Sequence, residues 1–594
     1  MYPFRGAHIL SGQFAWQRKA PNRRPAQFSI ISFIFFSSLA AAPSTQAAID
    51  QVEGAAPSGG QASDGPRAKT ANDPSLRKAK PPASSQRFDI DEYRVIGADT
   101  LQQIDVEEAV YPFLGPKRTA EDVEKARAAL EKSYHDKGYQ TVNVSIPPQN
   151  PQNGIVVLKV TENRVGRLRV KGSRYFDFDP IKKRATSLAE GTVPNFNAVT
   201  KDIVTLNQWP DRRVTPALSA GATPDTVDVD LNVEDKLPLH GSVEFNNRQA
   251  PDTEPLRIST NIHYDDLWQL GHSISFSYQV APQNPADVEV YSGSYLLRLP
   301  DNDFVSLLAY GVDSMSNVST VGNTDVIGPG QIIGSRVVVT LPPLTNLYHS
   351  VSFGADYKHF AQQVENGTAI AFSSPVTYAP IVASYNANWQ AEGSLLVLGA
   401  SVTSGLRGIG SNPAAFEARR DGAQDNFVHF NADLSYTQEL PLGLQLFART
   451  QAQFASLPLV SSEQFCVGGL DTVRGYLECE VLGDTGVAGT LEFRTPNIGP
   501  TLQSLQQDEK AKETKSTYFN DVRFFAFFDG ASAMILQPLP EQRSSFDLYS
   551  FGVGARLKLA NHLNGMVVLS VPMITQSFTK ARERRVNFRL WGEF

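Results

Sequence analysis

The last nine residues read Val586-Asn-Phe-Arg-Leu-Trp-Gly-Glu-Phe594, placing Val586, Phe588 and Leu590 on one side of an extended chain and ending it on an aromatic ring. Successive side chains of a strand point to opposite faces, so this run predicts a strand with one apolar face. The same texture recurs upstream, around 240–248, 256–264, 271–279, 290–299, 304–312, 334–341, 349–357, 379–389, 394–403, 427–437, 442–453, 486–495, 522–530, 547–559, 564–572 and 586–594, with no amphipathic helix expected after His240. These are sixteen strands, an even number. The gaps after odd strands are long (313–333, 358–378, 404–426, 454–485, 531–546), whereas Pro300–Asp303, Gln390–Gly393 and Gln438–Pro441 follow even ones. Transmembrane barrels have this asymmetry of short periplasmic turns and long external loops, and closure leaves no unpaired edge in lipid. The fold class expected for 237–594 is therefore an all-β transmembrane barrel of about 16 antiparallel strands, whose parity puts the preceding residues in the periplasm. One gap, 496–521, is a long charged insertion where a short turn belongs.

Ahead of the barrel, the chain changes texture three times. Phe28 to Ala42 is the one continuous apolar run; Arg18, Lys19, Arg23 and Arg24 precede it and small residues follow, which predicts a signal peptide over 1–48. Residues 49–87 are rich in Gly, Ser, Pro and Ala and read as a linker. From Phe88 an alternating strand, a short helix to Leu114, a second helix and two strands follow in 88–162. Thr119 and Asp122 make a capping box for the second helix, Val123, Ala126, Leu130 and Tyr134 recur at helical spacing, and Gly138 stops it. The same β-α-α-β-β order returns over 163–236, ending in Val227-Asp-Val-Asp-Leu-Asn-Val-Glu234, one face apolar and the other acidic. Two small α/β domains are therefore expected.

Composition narrows the functions. A 594-residue chain with 41% hydrophobic residues, 19% charged residues, net charge −7 and mean hydropathy −0.24 lacks the repeated ~20-residue apolar runs of helical membrane proteins. A barrel whose wall alternates around a polar lumen has just such a low mean hydropathy. The acidic balance argues against nucleic acid as a partner. Two cysteines cannot define a disulfide framework. Nine scattered histidines without metal-ligand spacing predict no metal site, and no nucleophile, base or nucleotide-binding loop assembles a catalytic site. Gly405-Leu-Arg-Gly-Ile-Gly410 opens no helix and is read as flexible external chain. No enzyme activity and no cofactor are expected.

The long gap between the eleventh and twelfth strands holds Phe465-Cys-Val-Gly-Gly-Leu-Asp-Thr-Val-Arg-Gly-Tyr476, then Gly483-Asp-Thr-Gly486 and Leu491-Glu-Phe-Arg494. Here the chain resembles the two-partner secretion transporters, the TpsB family, over about 88–594. Val473, Arg474, Gly475 and Tyr476 match that family's VRGY motif without a mismatch. Phe527-Phe-Asp-Gly-Ala531 corresponds to its F-x-D-x-G wall motif, with Phe527 and Asp529 in place, Ala531 where the last glycine belongs, and Gly530 beside it as the source of backbone freedom. The resemblance implies two periplasmic POTRA domains, ShlB-type, at 88–162 and 163–236. It also implies an inward-folded sixth loop, 454–485, held by an Arg474–Asp529 pair, and a C-terminal Phe594 serving as the barrel's assembly signal. The one short candidate for that family's plug segment is Ala71 to Lys80. Cys466 and Cys479, thirteen positions apart in the same loop of an exported protein, are a candidate disulfide.

The function implied is an outer-membrane pore that passes an unfolded exported partner, an adhesin or haemolysin-like exoprotein, to the cell surface without ATP. Its partners are then that TpsA-like protein, bound through the POTRA domains, outer-membrane lipid, and the barrel-assembly machinery for insertion of a monomeric barrel. The rival within the same superfamily is a barrel-assembly or insertase factor, which two small domains fit less well than a longer array.

Overall fold

The computed structural model describes residues 87–594 apart from 151–152, 208, 210, 300–301, 317, 322–323, 362, 367–368, 374 and 507–517. The expected signal peptide, and the expected linker apart from Arg87, lie outside the described residues.

The first domain is built on helix Ala120–Asp136. The Thr119 hydroxyl accepts from the Asp122 N–H (3.4 Å) and Asp122 Oδ2 accepts from the Thr119 N–H (2.9 Å), so two otherwise orphaned donors at the helix start are satisfied. Those bonds hold the Asp122 carboxyl below its ordinary pKa. Ala126, Leu130 and Tyr134 are fully buried, the last two in one core with Val144 and Leu158, and Gly138 ends the helix at φ +99°. Strand Ile155–Glu162 is central, parallel to Glu92–Ile96 and antiparallel to Val142–Ser145. An addition to the expected order is the pair Phe88–Ile90 with Gly115–Arg118. Gly115, at φ +116°, redirects the chain after helix Gln103–Val110, and Pro116, lacking an N–H, suits an edge.

The second domain repeats that sheet: Thr226–Asp235 is central, parallel to Arg164–Lys171 and antiparallel to Arg212–Ala220. Helices Phe178–Arg184 and Phe196–Leu206 cover one side, with Ile181, Leu188, Leu206, Val229 and Leu231 in its core. The acidic face of the central strand is paired with base: Arg169 Nε and Lys171 Nζ lie 2.7 and 2.6 Å from the Asp230 carboxylate.

Sixteen antiparallel strands then close on themselves. They are Leu239–Asn246, Arg257–Leu267, His272–Val280, Glu289–Leu299, Asn302–Ser314, Gly330–Thr340, Leu347–Phe360, Val376–Ala391, Ser394–Gly410, Val428–Glu439, Gln445–Ala455, Thr485–Arg494, Phe519–Met534, Ser545–Leu559, Leu563–Pro572 and Arg585–Glu593. Closure pairs Asn246 with Arg589 and Ser242 with Glu593. Side chains sort by alternation. Phe276, Phe353, Phe528, Phe551 and Val567 are exposed on the outside, while ion pairs such as Arg336–Asp356 (2.7 Å) lie within. An apolar exterior around a polar interior inverts a soluble protein and matches a wall in lipid. No helix among the described residues is long and apolar enough to cross a membrane.

The loops differ from expectation. Helices Pro413–Arg419 and Gly499–Gln506 occur where none was expected, because seven or eight residues are too few for a helical period to register. Extra hairpins, Val318–Val321 with Thr324–Ile327 and Gln363–Asn366 with Ala369–Ser373, rise from two long external gaps. Residues 405–410, read as flexible chain, continue the ninth barrel strand, where Gly410 pairs with Tyr378.

Candidate functional site

The sixth external loop, between Gln445–Ala455 and Thr485–Arg494, turns into the lumen. Its stem is a short hairpin, Phe465–Val467 with Val481–Gly483. Gly468 (φ +111°) and Gly469 (φ +103°) reverse the chain, and a Cβ on Gly468 would sit 2.4 Å from the Leu477 carbonyl oxygen. A disulfide joins Cys466 to Cys479 across this stem, with Cα atoms 4.8 Å apart.

At the tip the residues of the matched motif take separate positions. Val473 is buried in a cluster with Val467, Tyr476, Ala531 and Leu548. Arg474 Nε donates to Asp529 Oδ2 (2.8 Å), one terminal nitrogen donates to Asp529 Oδ1 (2.7 Å), and the other reaches Glu492 Oε2 (2.8 Å). The Arg474 carbon at the centre of its guanidinium lies 3.5 Å from the Phe527 ring centroid, so a cation–π face backs the fork. Gly475, at φ +98°, passes over Pro572 and Ser570, where a Cβ would come to 3.3 Å. Tyr476 donates to the Ile574 carbonyl (2.8 Å) and accepts from the Ile574 N–H (3.1 Å), which ties the tip to the eighth external loop.

The wall partners follow from strand alternation. On Phe519–Met534, residues 525, 527, 529, 531 and 533 face inward and are buried, bringing Phe527 and Asp529 to the loop. Gly530 faces the other way and has no left-handed backbone, so the conformational role expected for it is corrected. Its missing side chain makes room for Tyr549, whose ring would be 2.9 Å from a Cβ there. Ala531 is accommodated in regular strand between Ala488 and Leu548. Phe594, far from this site, exchanges backbone hydrogen bonds with Gly241 at 3.0 and 3.2 Å, its ring over that glycine.

Several residues were not singled out from the sequence. Glu492 is the second carboxylate on Arg474 and is also held by Arg494 Nε (2.7 Å) and Arg556 (2.9 Å). It lies inside the quoted stretch Leu491–Arg494, and its inward direction is readable from the apolar Leu491 and Phe493 beside it. Arg248 in the first external loop grips Glu478 at 3.1 Å and Asp471 at 2.6 Å. Glu480 accepts from Phe578 N, Thr579 N and Thr579 Oγ1. Asp484, fully buried, accepts from Leu459 N (2.9 Å), Leu536 N (2.7 Å) and the Arg420 guanidinium, knotting three external loops. No local motif marks these four acids, whose partners lie in other loops. Cross-strand pairing also brings His240, His263 and Asp265, scattered in the sequence, together at the periplasmic mouth.

The site is thus a buried loop tip, tethered to the barrel wall through Arg474 on Asp529 and Glu492 and to the eighth external loop through Tyr476. The chain is similar to known proteins in sequence and in fold. The family model described as haemolysin secretion/activation protein ShlB/FhaC/HecB matches residues 225–509, and that of the ShlB-type POTRA domain matches 88–163. The outer membrane transporter CdiB of Dickeya dadantii (strain 3937) is 21% identical over 453 residues, covering 71% of this chain and 77% of that protein. The heme/hemopexin transporter protein HuxB of Haemophilus influenzae (strain 86-028NP) is 19% identical over 452 residues, covering 72% and 77%. Among solved structures, CdiB from Escherichia coli superposes with a TM-score of 0.59 at 17% identity, covering 87% of this chain and 92% of that one. CdiB from Acinetobacter baumannii gives 0.52 at 14%, covering 86% and 91%.

Proposed function

Because the chain belongs to the haemolysin secretion/activation family of two-partner secretion transporters, we propose that it exports one or a few large partner proteins, unfolded, from the periplasm to the cell surface without nucleotide. It is an outer-membrane barrel with its N-terminal domains in the periplasm. The partner is an adhesin or haemolysin-like exoprotein, captured as an extended N-terminal segment by the two domains, 163–236 acting as a second POTRA. An extended segment adds to a sheet edge through backbone hydrogen bonds, and each domain ends in such edges. In the second domain the start of the outer strand is already taken, since Asn207 pairs with both peptide groups of Val214, so residues 217–220 are the rail we favour. Folding of the partner outside then supplies direction.

The observation that carries this reading is the inward sixth loop fixed by Arg474 on Asp529 and Glu492 in a barrel that bears docking domains at its periplasmic end. A passive porin needs neither. Deleting the gene is the test: one surface protein should stall in the periplasm while other outer-membrane barrels stay at normal levels. Broad loss of those barrels would instead assign the chain to barrel assembly.

A further inference from the structure

Where the second periplasmic domain meets the barrel mouth, the first two barrel strands place His240 directly opposite His263. Their rings stack at 4.9 Å between centroids. Asp265 lies two residues beyond His263 on the same face, its Oδ2 3.4 Å from His263 Nε2. One donor atom from each of the three lies within 4.8 Å of the others. Residues facing one another in an antiparallel pair, with a third at i+2, converge on one point without rearranging the backbone.

Two further features distinguish this cluster from a chance polar patch. Asn261 Nδ2 donates to Ser277 Oγ (2.6 Å), which turns Asn261 Oδ1 toward His263 Nδ1 at 3.3 Å. With the Nδ1 hydrogen on that carbonyl, loss of the Nε2 proton leaves a lone pair beside the Asp265 carboxylate for a cation to bridge. Metal-ligating histidines are held in this way, the outer nitrogen donating to an oxygen. From the periplasmic domain, Asp211 brings Oδ1 to 2.9 Å from His240 Nε2. Its side chain is 6% exposed, and its Oδ2 is buried without a hydrogen-bond partner among the described residues. Two imidazoles and two carboxylates, one carrying an unsatisfied oxygen, are the donor set of a divalent transition cation, which neutralises both acids.

The geometry points to a Zn²⁺-class cation site formed by His240, His263 and Asp265 with Asp211, which links the second periplasmic domain to the barrel. The joint already has a fixed frame. Gln269 in the first periplasmic turn accepts from Asp177 N (2.8 Å) and donates to the Tyr175 carbonyl (2.8 Å). Trp209 packs over Gly271, where a Cβ would lie 2.5 Å from its ring. A cation here adds a bond that a chelator or an acid pulse removes.

The test uses the untagged full chain in detergent, stripped with a chelator and then titrated with ZnCl2, with bound metal counted per chain after desalting. CoCl2 in place of zinc gives a visible absorption band that reports nitrogen and oxygen ligation. We expect one Zn²⁺ per chain, loss of stoichiometric binding and of the cobalt band in His263→Ala and in Asp265→Asn, and about tenfold weaker binding in Asn261→Ala. Each variant is used only if it remains heat-modifiable, which keeps misfolding out of the result. No retained zinc, or zinc retained equally by wild type and both ligand variants, overturns the site and leaves His240–Asp211 as an ion pair.

Discussion

Arg474 meets Asp529 three times: its backbone N–H and Nε both donate to Oδ2, at 3.0 and 2.8 Å, and a terminal nitrogen donates to Oδ1 at 2.7 Å. Asp529 is fully buried, so removing the arginine strands a charge with no solvent to turn to. Breaking one side of a buried pair costs about 3–5 kcal/mol, far more than losing an exposed pair. Arg474→Ala should therefore release the tip of the loop and abolish partner export while the barrel stays folded. Heat-modifiability on gels checks the barrel, and partner in the culture medium checks export; normal export from this variant would refute the lock. Arg474→Lys should fail as well, because an ammonium cannot bridge both oxygens of Asp529 and still reach Glu492.

The stapled stem makes a second expectation. With Cys466 bonded to Cys479, unreduced, denatured protein should offer no thiol to a maleimide, and two per chain after reduction. Two reactive thiols before reduction would remove the staple from consideration. In the chain-entropy picture a loop of this length gives about 3 kcal/mol, so Cys466→Ser should raise protease cleavage between Gly468 and Glu478. Tip contacts through Arg474 remain in that variant, and export should fall only in part.

What the sequence made legible, and what it hid, follows one physical line. Barrel strands are periodic and bounded by turns, so fifteen of the sixteen were readable to within about four residues, the ninth running seven residues further to Gly410, and alternation alone aims Asp529 and Glu492 at the lumen. The capping box at Thr119 is a local contact and was equally plain. The interloop acids were not. Asp484 meets Arg420 across 64 positions and Glu480 meets Thr579 across 99, and no period connects such residues. His240 and His263 seemed scattered because their proximity depends on register, which turn geometry fixes and spacing does not announce. Ala531 in place of glycine looked like a backbone problem, yet the strand there is regular and the space is needed at Gly530.

The capping box predicts a confined effect. Thr119→Ala deletes the hydroxyl that takes the Asp122 N–H, a loss worth about 1 kcal/mol at a helix start. Hydrogen exchange across Ala120–Val123 of the full chain should quicken about fivefold, with the barrel strands unchanged. Unaltered exchange would mean the cap is redundant with the packing of Val123 and Leu130.

Glu480 sits at the crossing of the sixth and eighth external loops, where it accepts from Phe578 N (3.1 Å), Thr579 N (2.8 Å), Thr579 Oγ1 (2.5 Å) and, on its own side, Leu477 N (2.9 Å). Bonds to a charged acceptor contribute about 1.5–3 kcal/mol each, and Gln in its place keeps the shape but loses the charge and one acceptor oxygen. Glu480→Gln should loosen residues 573–584 without unseating Arg474, since the Arg474–Asp529 pair draws on a different strand. Limited proteolysis on whole cells should then cut the eighth loop sooner, while export continues. If export instead stops with the eighth loop still protected, Glu480 holds the inner tip rather than the loop crossing, and the two anchors are one unit.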